Sequence, residues 1–390
     1  MAPKNIVIVG GGHVSLSLVQ IPSNPEFSFR TGGGAAVARA LASKLKPAQS
    51  YTVKLINPLP YAISRPTLPR MTVSDHNDLM ETALIPFDKL FPSGSAGSFV
   101  EGKVASIQAN KEGGIVVLES GAQLPYDVLV LAPGSIWEGV LDIPDESKSA
   151  ASAFITASRD NFKKAKKIVL AGGGAVGIEL AGEIKDIWPA KEITIVHGEA
   201  QLMNKTYPAS FRKGLEKRLH ARGVKFIFDD YVDEIPPPGP AMIKTRKGEV
   251  IDADLVVPTR GPRPNTEFVA KSLGSDTLDE RGHIKVKPTL QLVAHPSIFA
   301  IGDAILPIPT EQKQVMKTIA HGGVVTANVM AYLSGKPLKA YKGSGELITV
   351  TNGKDGGMAY LGGIVLGDWF ARMVKSKGLL VSMSRSAMGY

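Results

Sequence analysis

The sequence of 390 residues contains no cysteine. This absence excludes structural disulfides, a cysteine-ligated zinc site, a thiol nucleophile and a redox-active cysteine pair, so electrons cannot leave the protein through a disulfide. The sequence also lacks a run of about 18 apolar residues, which excludes a membrane-spanning helix. Its seven histidines show no metal spacing such as H-E-x-x-H, and neither a G-x-S-x-G elbow nor a Walker loop is found, so we expect no metal site.

The beginning of the chain shows no targeting signal. The segment MAPKNIVIVGGG enters an apolar strand at once, and Ala2 stands where myristoylation requires glycine. We therefore expect neither a signal peptide nor a myristoyl anchor. The expected location is the cytoplasm, with peripheral contact to a membrane or a lipid droplet as an open alternative.

The charge balance is basic. Hydrophobic residues make up 44% of the chain and charged residues 21%, a composition typical of a soluble globular protein with two or three domain-sized cores. The formal net charge is +9 and the sequence pI is ≈ 9.4. This excess indicates either attraction to an acidic partner, such as a lipid surface, nucleic acid or the phosphates of a dinucleotide, or simply a surface of solvated lysines.

The most informative segment is IVLAGGGAVGIELAGE, residues 168–183. Four apolar residues predict a buried strand, three glycines follow in G-x-G-x-x-G spacing, and a helical pattern comes next; these glycines are Gly172, Gly174 and Gly177. The first permits a tight turn, the second lets the backbone approach a pyrophosphate, and the third brings the helix close to the strand. A phosphate then meets amide donors at the helix N-terminus. With a second strand at 192–197, the segment predicts a dinucleotide-binding βαβ unit rather than a glycine-rich turn without a ligand.

No acid ends this second strand. Val196 is followed by His197 and Gly198, whereas a carboxylate there would bond a ribose hydroxyl and repel the extra phosphate of NADP. The usual bias toward NAD is therefore missing, and both nicotinamide dinucleotides stay open. His197 is the candidate nucleotide contact at this strand end.

An earlier fingerprint is interrupted. The strand NIVIV, residues 5–9, runs into three glycines, but residues 13–31 show no helical periodicity, and the helix AAVARALASKL begins only after three further glycines. When residues 14–32 are set aside, a second complete fingerprint falls into register. Its candidate FAD-binding residues are Gly10, Gly12 and Gly34.

Two explanations account for this interruption. Residues 14–32 are either a real insertion that loops out of the phosphate turn or an in-frame artefact of the gene model, such as an unspliced intron that begins at Val14 and Ser15. The amides of a phosphate turn converge within a few residues, so we expect a long insert to widen or block the turn. That expectation favours the artefact.

Four other positions are candidate cofactor contacts. Asn57 ends the predicted strand 51–56, where an acid often bonds the ribose; an amide bonds that hydroxyl more weakly. Arg70 ends the proline-punctuated connection PLPYAISRPTLPR. Gly134 lies in the turn LAPGS, which commonly closes over a cofactor, and Gly261 lies in a second turn of that kind, TRGPRPN.

The segment SIFAIGDA places Gly302 and Asp303 at the carboxyl end of an apolar strand, before a helix predicted from about Lys317 to Ser334. An acid so placed can bond the ribityl chain of a flavin. The helix N-terminus then faces the edge of the ring where negative charge develops on reduction. Asp303 can also be an ordinary N-cap, and the two roles are compatible.

These elements predict an α/β fold with two Rossmann-like dinucleotide-binding domains, one for FAD and one for NAD(P)H, and a small C-terminal α+β segment. We expect the FAD-binding domain to combine residues 1–150, including the insertion, with residues 281–337. The NAD(P)H-binding domain would span residues 151–280, and the C-terminal segment residues 338–390.

Taken in order, the two fingerprints, LAPGS, TRGPRPN and FAIGD resemble the two-dinucleotide-binding-domain flavoproteins of the pyridine-nucleotide oxidoreductase superfamily. More narrowly, the segments GGGAVGIELAGEIK, KEITIVHGEAQL and PLKAYK and the tails GKDGGMAYLGG and MVKSKGLLVSMS are similar to the apoptosis-inducing-factor-like ferroptosis suppressor proteins. The resemblance covers nearly the whole chain except residues 14–32. It implies an FAD enzyme that takes hydride from NADH or NADPH and passes electrons to a quinone.

By matching positions, the resemblance implies that Glu179 lies near the nicotinamide and that His321 lies near the pyrimidine end of the flavin, as the two candidate catalytic residues. Either residue can instead have a purely structural role. The chain departs from the family pattern at Pro133, where threonine is usual, at Asn57, where an acid is usual, and in the interrupted first loop.

Three functions follow as alternatives. The first is an FAD-dependent NAD(P)H:quinone oxidoreductase. The second is a flavin-free or FAD-impaired binding protein with a basic surface for an acidic partner, although nucleic acid is not the favoured one. The third is a flavoenzyme that reduces another acceptor, such as a ferredoxin or oxygen. In the segment 358–383, apolar residues mixed with basic ones indicate either a lipid-surface face or ordinary packing against the flavin domain.

Overall fold

A computed structural model describes residues 3–14, 16–20, 27–31, 33–45, 51–308 and 312–390, with the backbone alone at 13–31. Parts of the predicted insertion and Ala2 lie outside these residues. The strands of the described chain are β1 (Lys4–Val9), β2 (His13–Val14), β3 (Leu16–Gln20), β4 (Phe27–Thr31), β5 (Tyr51–Asn57), β6 (Tyr61–Ser64), β7 (Leu84–Pro86), β8 (Gly97–Glu101), β9 (Val104–Ala109), β10 (Gly114–Leu118), β11 (Gln123–Tyr126), β12 (Val128–Leu131), β13 (Ser135–Ile136), β14 (Lys167–Ala171), β15 (Glu192–His197), β16 (Val224–Phe228), β17 (Ala241–Lys244), β18 (Val250–Ala253), β19 (Leu255–Pro258), β20 (Arg263–Pro264), β21 (Ile298–Ala300), β22 (Leu347–Thr351), β23 (Gly357–Leu361) and β24 (Ile364–Leu366).

The helices of the same residues are α1 (Gly34–Lys44), α2 (Leu68–Met71), α3 (Leu79–Ala83), α4 (Lys148–Lys164), α5 (Ala175–Ile187), α6 (Ala209–His220), α7 (Glu267–Leu273), α8 (Val315–Leu333), α9 (Asp368–Ala371) and α10 (Val381–Ala387). A π-helical turn, Arg372–Ser376, follows α9 directly. Within the described part of the chain, no helix is long and apolar enough to cross a membrane.

A first parallel sheet has the strand order β21-β12-β1-β5-β8. Its strands read as continuous apolar runs because both faces are covered, and Ile6, Ile8 and Val130 are fully buried in it. The helices α1 and α8 pack on this sheet through residues such as Leu41 and Val325. Because β21 comes from residues 298–300, the sheet joins two distant parts of the chain, as predicted for the FAD-binding domain.

A second parallel sheet has the order β16-β15-β14-β19. It contains the central predicted strand–loop–helix–strand unit, β14, α5 and β15, whose bounds agree with the sequence pattern. The α/β fold class with Rossmann-like parallel sheets is therefore confirmed. The domain boundaries at 150, 280 and 337 stay a prediction.

The antiparallel parts are smaller. The strands β9, β10 and β11 form an antiparallel meander, and β13 pairs with β20, so the turn after β12 meets the turn after β19. The strands β22, β23 and β24 form a three-stranded sheet in the C-terminal segment. This segment therefore has the predicted α+β character.

The interruption of the first glycine loop contains strands that the sequence pattern did not predict. The backbone of β3 pairs antiparallel with β4, and β2 pairs parallel with β6. The chain then returns to α1, whose first residue is Gly34. The expectation that an insert must widen or block the turn is wrong for this structure, because the described strands leave the loop and come back to it.

Candidate functional site

A cavity of about 1380 Å³ lies where the first sheet, helix α5 and the C-terminal segment meet. Gly10, Gly12 and Gly34 line it from the first glycine loop, and Glu179 lines it from α5. The remaining predicted site residues that line it are Asn57, Gly134, Gly302 and Asp303. Most of the predicted positions for FAD are thus brought together around one space.

The first glycine loop is closed despite its interruption. Gly10 has φ 92, a conformation that favours glycine. A Cβ on Gly34 would collide with the carbonyl oxygen of Gly10, so the helix approaches the loop as closely as the third glycine of a fingerprint should. Gly33 is the N-cap of α1, and both Gly33 and Gly34 line the cavity, so this helix N-terminus borders the space where a phosphate would bind.

The second glycine loop is built in the same way. Gly172 has φ 137, and a Cβ on Gly177 would collide with the carbonyl oxygen of Gly172. Gly174 is the N-cap of α5, with open space around its Cα. The three glycines lie outside the lining of the cavity, while Ala175 and Glu179 on α5 belong to it. The two loops therefore share one construction, and only the first borders the cavity directly.

The residues at the ends of β5 and β15 each form a hydrogen bond with the neighbouring glycine loop. Asn57 is buried, and its Oδ1 accepts a hydrogen bond from the amide of Gly11 at 3.1 Å. His197 does the same in the second loop, where its Nδ1 accepts from the amide of Gly173 at 3.1 Å. Both side chains were predicted as cofactor contacts, and in this structure both bond the protein's own glycine loop.

Asp303 lines the cavity and is bonded to the turn after β12. The Ser135 hydroxyl donates to Asp303 Oδ2 at 2.9 Å, so the predicted turns LAPGS and FAIGD meet. The N-cap of α8 is Gln314, so Asp303 does not cap that helix. The carboxylate is thus held at the edge of the cavity, where a ligand hydroxyl can reach it.

His321 lies behind this turn and outside the cavity lining. It is 2% exposed, its Nδ1 accepts from the amide of Gly302 at 3.2 Å, and its ring packs edge-on against Tyr341 at a centroid distance of 4.6 Å. A direct catalytic contact does not fit this position. His321 instead supports the Gly302 turn from within the protein.

Glu179 is the predicted catalytic residue that does face the cavity. It is 6% exposed, and its Oε1 accepts from the Thr351 amide at 3.0 Å and from Lys375 Nζ at 2.5 Å. Lys375 also lines the cavity and donates to the Thr349 carbonyl at 3.2 Å. A buried ion pair of helix α5 and the C-terminal segment therefore borders the space where the two parts meet.

The predicted cofactor role of Arg70 is not supported by its position. Arg70 is 4% exposed and does not line the cavity. Its Nε and Nη2 donate to Glu183 at 2.8 and 2.9 Å, and Nη2 also donates to the Ser376 carbonyl at 2.7 Å. Burial raises the pKa of Glu183, against the opposing effect of Arg70. Arg70 is thus a buried link between α2, α5 and the C-terminal segment.

The two predicted closing turns differ. Gly134 has φ 70 and lines the cavity, and its carbonyl accepts from the Asn265 amide at 3.0 Å. Gly261 is exposed, lies outside the cavity lining and has no neighbour for an added Cβ within 4 Å. The structure therefore brings Gly134 into the candidate site and leaves Gly261 at its outside.

Two basic residues of the site were missed in the sequence. Arg65 lines the cavity, and its guanidinium lies 5.0 Å from the centroid of the Trp137 ring. Burial lowers the pKa of Arg65 to about 10, although Asp303 and Asp142 act in the opposite direction. Burial also lowers the pKa of Lys313, again opposed by Asp303. Arg65 lies in the connection PLPYAISRPTLPR, and this position was the sequence signal that could have identified it.

The C-terminal segment supplies an apolar wall that was not predicted residue by residue. Its cavity-lining apolar side chains are Leu347, Ile348, Leu361, Ile364, Phe370, Val374 and Leu380. They line the same cavity as the first glycine loop and Lys375. The site therefore combines polar loops that suit phosphates with an apolar end that suits a hydrophobic molecule.

The fold and the site define an oxidoreductase with two dinucleotide-binding loops. The family described as "Pyridine nucleotide-disulphide oxidoreductase" matches residues 32–323. The chain belongs to this family, although the absence of cysteine removes the disulfide chemistry in its name. The predicted family and the predicted enzyme class are confirmed.

Relatives give the same picture. The chain is 45% identical over 323 residues to "FAD-dependent oxidoreductase FVFD30" of Flammulina velutipes, covering 82% of this chain and 99% of that protein. It is 31% identical to "Ferroptosis suppressor protein 1" of Taeniopygia guttata, covering 75% of this chain and 79% of that protein. The solved sulfide:quinone oxidoreductase of Aquifex aeolicus has a TM-score of 0.74 at 18% identity, covering 98% of this chain and 92% of that chain, a likeness of fold.

Proposed function

We propose that this protein is an FAD-dependent oxidoreductase that transfers hydride from NAD(P)H to the flavin and passes the electrons to a quinone-type acceptor. One observation carries the proposal. A single cavity is bordered by the first glycine loop, by the N-terminal turn of α5 and by the apolar wall of the C-terminal segment. This arrangement gives one space a phosphate-binding side and a side for a hydrophobic acceptor.

The residues present fit FAD, the predicted and confirmed flavin cofactor. A Cβ on Gly34 would collide with the carbonyl oxygen of Gly10, as expected where the third glycine of a fingerprint lets its helix pack close to the pyrophosphate-binding loop. Gly10, Gly12 and Gly34 would hold the pyrophosphate, and Asp303 would bond a ribityl hydroxyl. When bound, FAD would supply the chemistry of accepting a hydride and passing its electrons on.

The residues of the second loop fit a nicotinamide dinucleotide, the other predicted and confirmed cofactor. Gly174 leaves the start of α5 open, so the amides there can bind a pyrophosphate. Along the same helix, the buried Glu179 reaches the cavity. Glu179 and Lys375 would orient the nicotinamide end, and the apolar wall would exclude water from it.

The apolar wall of the C-terminal segment and the absence of cysteine both indicate which kind of molecule accepts the electrons. Without a cysteine pair, electrons must pass directly to a molecule in the cavity. Leu361, Phe370 and Leu380 give that end an apolar lining, which suits a quinone ring better than a polar acceptor. The Lys375 ammonium beside them offers a proton donor or a hydrogen bond to a quinone oxygen.

The test is spectroscopic. The purified protein should be yellow, NADH or NADPH should bleach it under argon, and an added ubiquinone analogue should restore the colour in repeated turnovers. A colourless protein that refuses added FAD would support the flavin-free binding protein instead. A bleached protein that reoxidises with oxygen or ferredoxin and not with quinones would support another acceptor.

We propose further that the mouth of the cavity docks on an anionic lipid surface. Ile364, Trp369 and Met373 are 62, 76 and 61% exposed, and Ile364 also lines the cavity. The basic residues Arg372 and Lys377 lie exposed beside them. An exposed tryptophan with aliphatic and basic neighbours is typical of an interfacial anchor, and this one adjoins the route of a hydrophobic acceptor.

Flotation with anionic phospholipid vesicles tests this surface. The unaltered protein should float with the vesicles, and the double variant W369S/M373S should not, while its turnover of a water-soluble quinone should persist. Met242→Ser is the matched control, since Met242 is 68% exposed and lies on β17, in the two-stranded sheet formed by β17 and β18. Failure of the unaltered protein to float, or an equal loss in the Met242→Ser variant, would contradict the proposal.

A further inference from the structure

We propose that Lys313 stabilises the negative charge that hydride transfer brings to the flavin, and that it thereby raises the reduction potential of the bound cofactor. This inference rests on the proposed function, because it concerns the same flavin in the same cavity. Lys313 directly precedes Gln314, the N-cap of helix α8, a position that no sequence motif indicated.

Lys313 lies in the wall between two cavities. It lines the large cavity, and it also lines a small one that reaches back to His321. Asp303 and Gln314 line both cavities with it. Lys313 is half-buried and belongs to the same stretch of wall as the carboxylate that would bond a ribityl hydroxyl. A charge on this side chain therefore acts on the space where the flavin would lie.

Acidic and basic groups face Lys313 from two turns. Burial lowers the pKa of Lys313, and the carboxylates of Asp303 and Asp279 oppose this effect. Asp279 is occupied by its own turn, since its Oδ1 accepts from the amides of Arg281 and His283 at 2.8 Å each. Burial lowers the pKa of His283, and the charge of Lys313 lowers it further. Of the two acids, only Asp303 lines the large cavity with Lys313.

Asp303 is shared with a second cation. Arg65 also lines the cavity, and Asp303 and Asp142 act against the lowering of its pKa by burial. The Ser135 hydroxyl donates to the Asp303 carboxylate at 2.9 Å. One carboxylate thus serves two cations and a hydroxyl donor, which leaves Lys313 only partly neutralised. A half-buried ammonium in this state stabilises added negative charge more strongly than a fully solvated one does.

The start of helix α8 has the same preference for negative charge. The side chain of Gln314 does not cap the helix, because its Nε2 donates to the Tyr207 hydroxyl at 2.8 Å and to Glu346 Oε2 at 2.7 Å. The positive end of the helix dipole thus adjoins Lys313. Lys317, in the first turn of α8, lies 3.1 Å from Glu346 Oε1 in a buried ion pair. Of these two lysines, only Lys313 lines the large cavity.

The added charge follows from the balance of the proposed reaction. A hydride carries two electrons and one proton, so NAD(P)H leaves as NAD(P)⁺ and one negative charge stays in the cavity. A quinone later takes the two electrons, this proton and a second proton from water. Between the two steps, a cation beside the flavin favours the reduced state. The reduction potential therefore measures what Lys313 contributes.

Reduction potentials of the FAD-loaded protein, measured under argon against a dye of known potential, test this. We expect Lys313→Met to stay yellow and to favour the oxidised state about tenfold more than the unaltered protein, which lowers the two-electron potential by about 30 mV. Lys313→Arg keeps the charge and should stay within about threefold of the unaltered protein.

Lys103→Met is the matched control. Lys103 also lines the cavity, but its side chain is 52% exposed and its Nζ lies 3.3 Å from Asp145 Oδ2. Solvent screens such an exposed pair, so this variant should stay within about twofold of the unaltered protein. Should Lys313→Met fail to fold, Lys313→Gln takes its place, with the same expected fall in potential.

Three results would overturn the inference. They are an unchanged potential in the Lys313→Met variant, an equal fall in Lys313→Arg or in Lys103→Met, and a loss of FAD from a Lys313→Met variant with an unchanged melting temperature. The last result would make Lys313 a binding residue of the oxidised cofactor. An unaltered protein that binds no FAD would refute the proposed function itself, whereas one that NADH bleaches, without the expected shift in the variant, would refute this inference alone.

Discussion

Gly34 and Gly177 hold the same place in the two loops, and each leaves no room for a side chain because a carbonyl oxygen lies against its Cα. Substitution of each glycine by alanine therefore gives a matched pair of tests. A methyl group at either position must push its helix away from the loop, and such overpacking costs about 1–3 kcal/mol or more.

We predict that Gly34→Ala loses flavin during purification, while Gly177→Ala stays yellow and is no longer bleached by NAD(P)H. The physical reason is that each substitution opens only its own loop. Absorbance spectra before and after addition of NADH measure both outcomes. The control is Gly323→Ala on α8, where nothing lies within 4 Å of an added Cβ and a gain of up to about 1 kcal/mol in stability is expected.

The assignment of the loops would be wrong if Gly177→Ala lost the flavin and Gly34→Ala kept it. Equal losses in all three variants would show that the helices tolerate no methyl group and would leave no distinction between the loops. The sequence contained the basis for this pair, because the spacing of the glycines sets which of them must lie against a carbonyl.

At the scale of the element, helix α5 presents three acids on one face at positions i, i+4 and i+7, and each is bonded to a distant cation. Glu179 pairs with Lys375, Glu183 with Arg70 and Asp186 with Arg222. The C-terminal segment is held through these pairs, since Arg70 also bonds the Ser376 carbonyl. The helix that begins at the second glycine loop is thus the support of the apolar wall.

The pair Arg70–Glu183 separates stability from positioning. Both side chains are 5% exposed, so removal of one leaves the other charge buried and unpaired, at a cost of about 3–5 kcal/mol. We predict this loss of unfolding free energy for Arg70→Met and for Glu183→Leu alone. The double variant should recover most of it, because apolar replacement of a buried ion pair is often neutral.

The double variant should still raise the KM for a quinone, because the Ser376 carbonyl next to Lys375 has lost its hydrogen bond to Arg70. Urea unfolding and steady-state kinetics measure the two effects separately. An unchanged KM for quinone in a stable double variant would limit Arg70 to a structural role.

Helix α5 also shows which features the sequence predicts and which it does not. The pattern at 168–197 predicts strand, loop, helix and strand correctly, because apolar periodicity and glycine spacing are local properties. It does not show that Glu183 meets Arg70, 113 residues away, or that Glu179 meets Lys375, 196 residues away. Arg70 was therefore assigned to the cofactor, and His321 to the flavin edge, from positions along the chain without their partners.

At the scale of the whole molecule, the interrupted first loop is the least expected feature. The pattern predicts no strand between residues 13 and 31, yet the described backbone contains the hairpin β3–β4. The signal was present in the sequence and was missed, because FSFRT alternates apolar and polar residues over its first four positions and LSLVQ begins with the same alternation. The family match begins only at residue 32, so the strand β1 and the first two glycines of the fingerprint lie outside it.

Gly34 already lies against Gly10 with the interruption in place, so the loop geometry does not depend on its removal. We predict that a variant lacking residues 14–32 folds, binds FAD at least as tightly and melts at an equal or higher temperature. The shorter connection saves loop-closure entropy worth up to about 2 kcal/mol. Flavin titration and thermal melts of both proteins measure this. A colourless excision variant beside a yellow full-length protein would show instead that the hairpin is part of the flavin site.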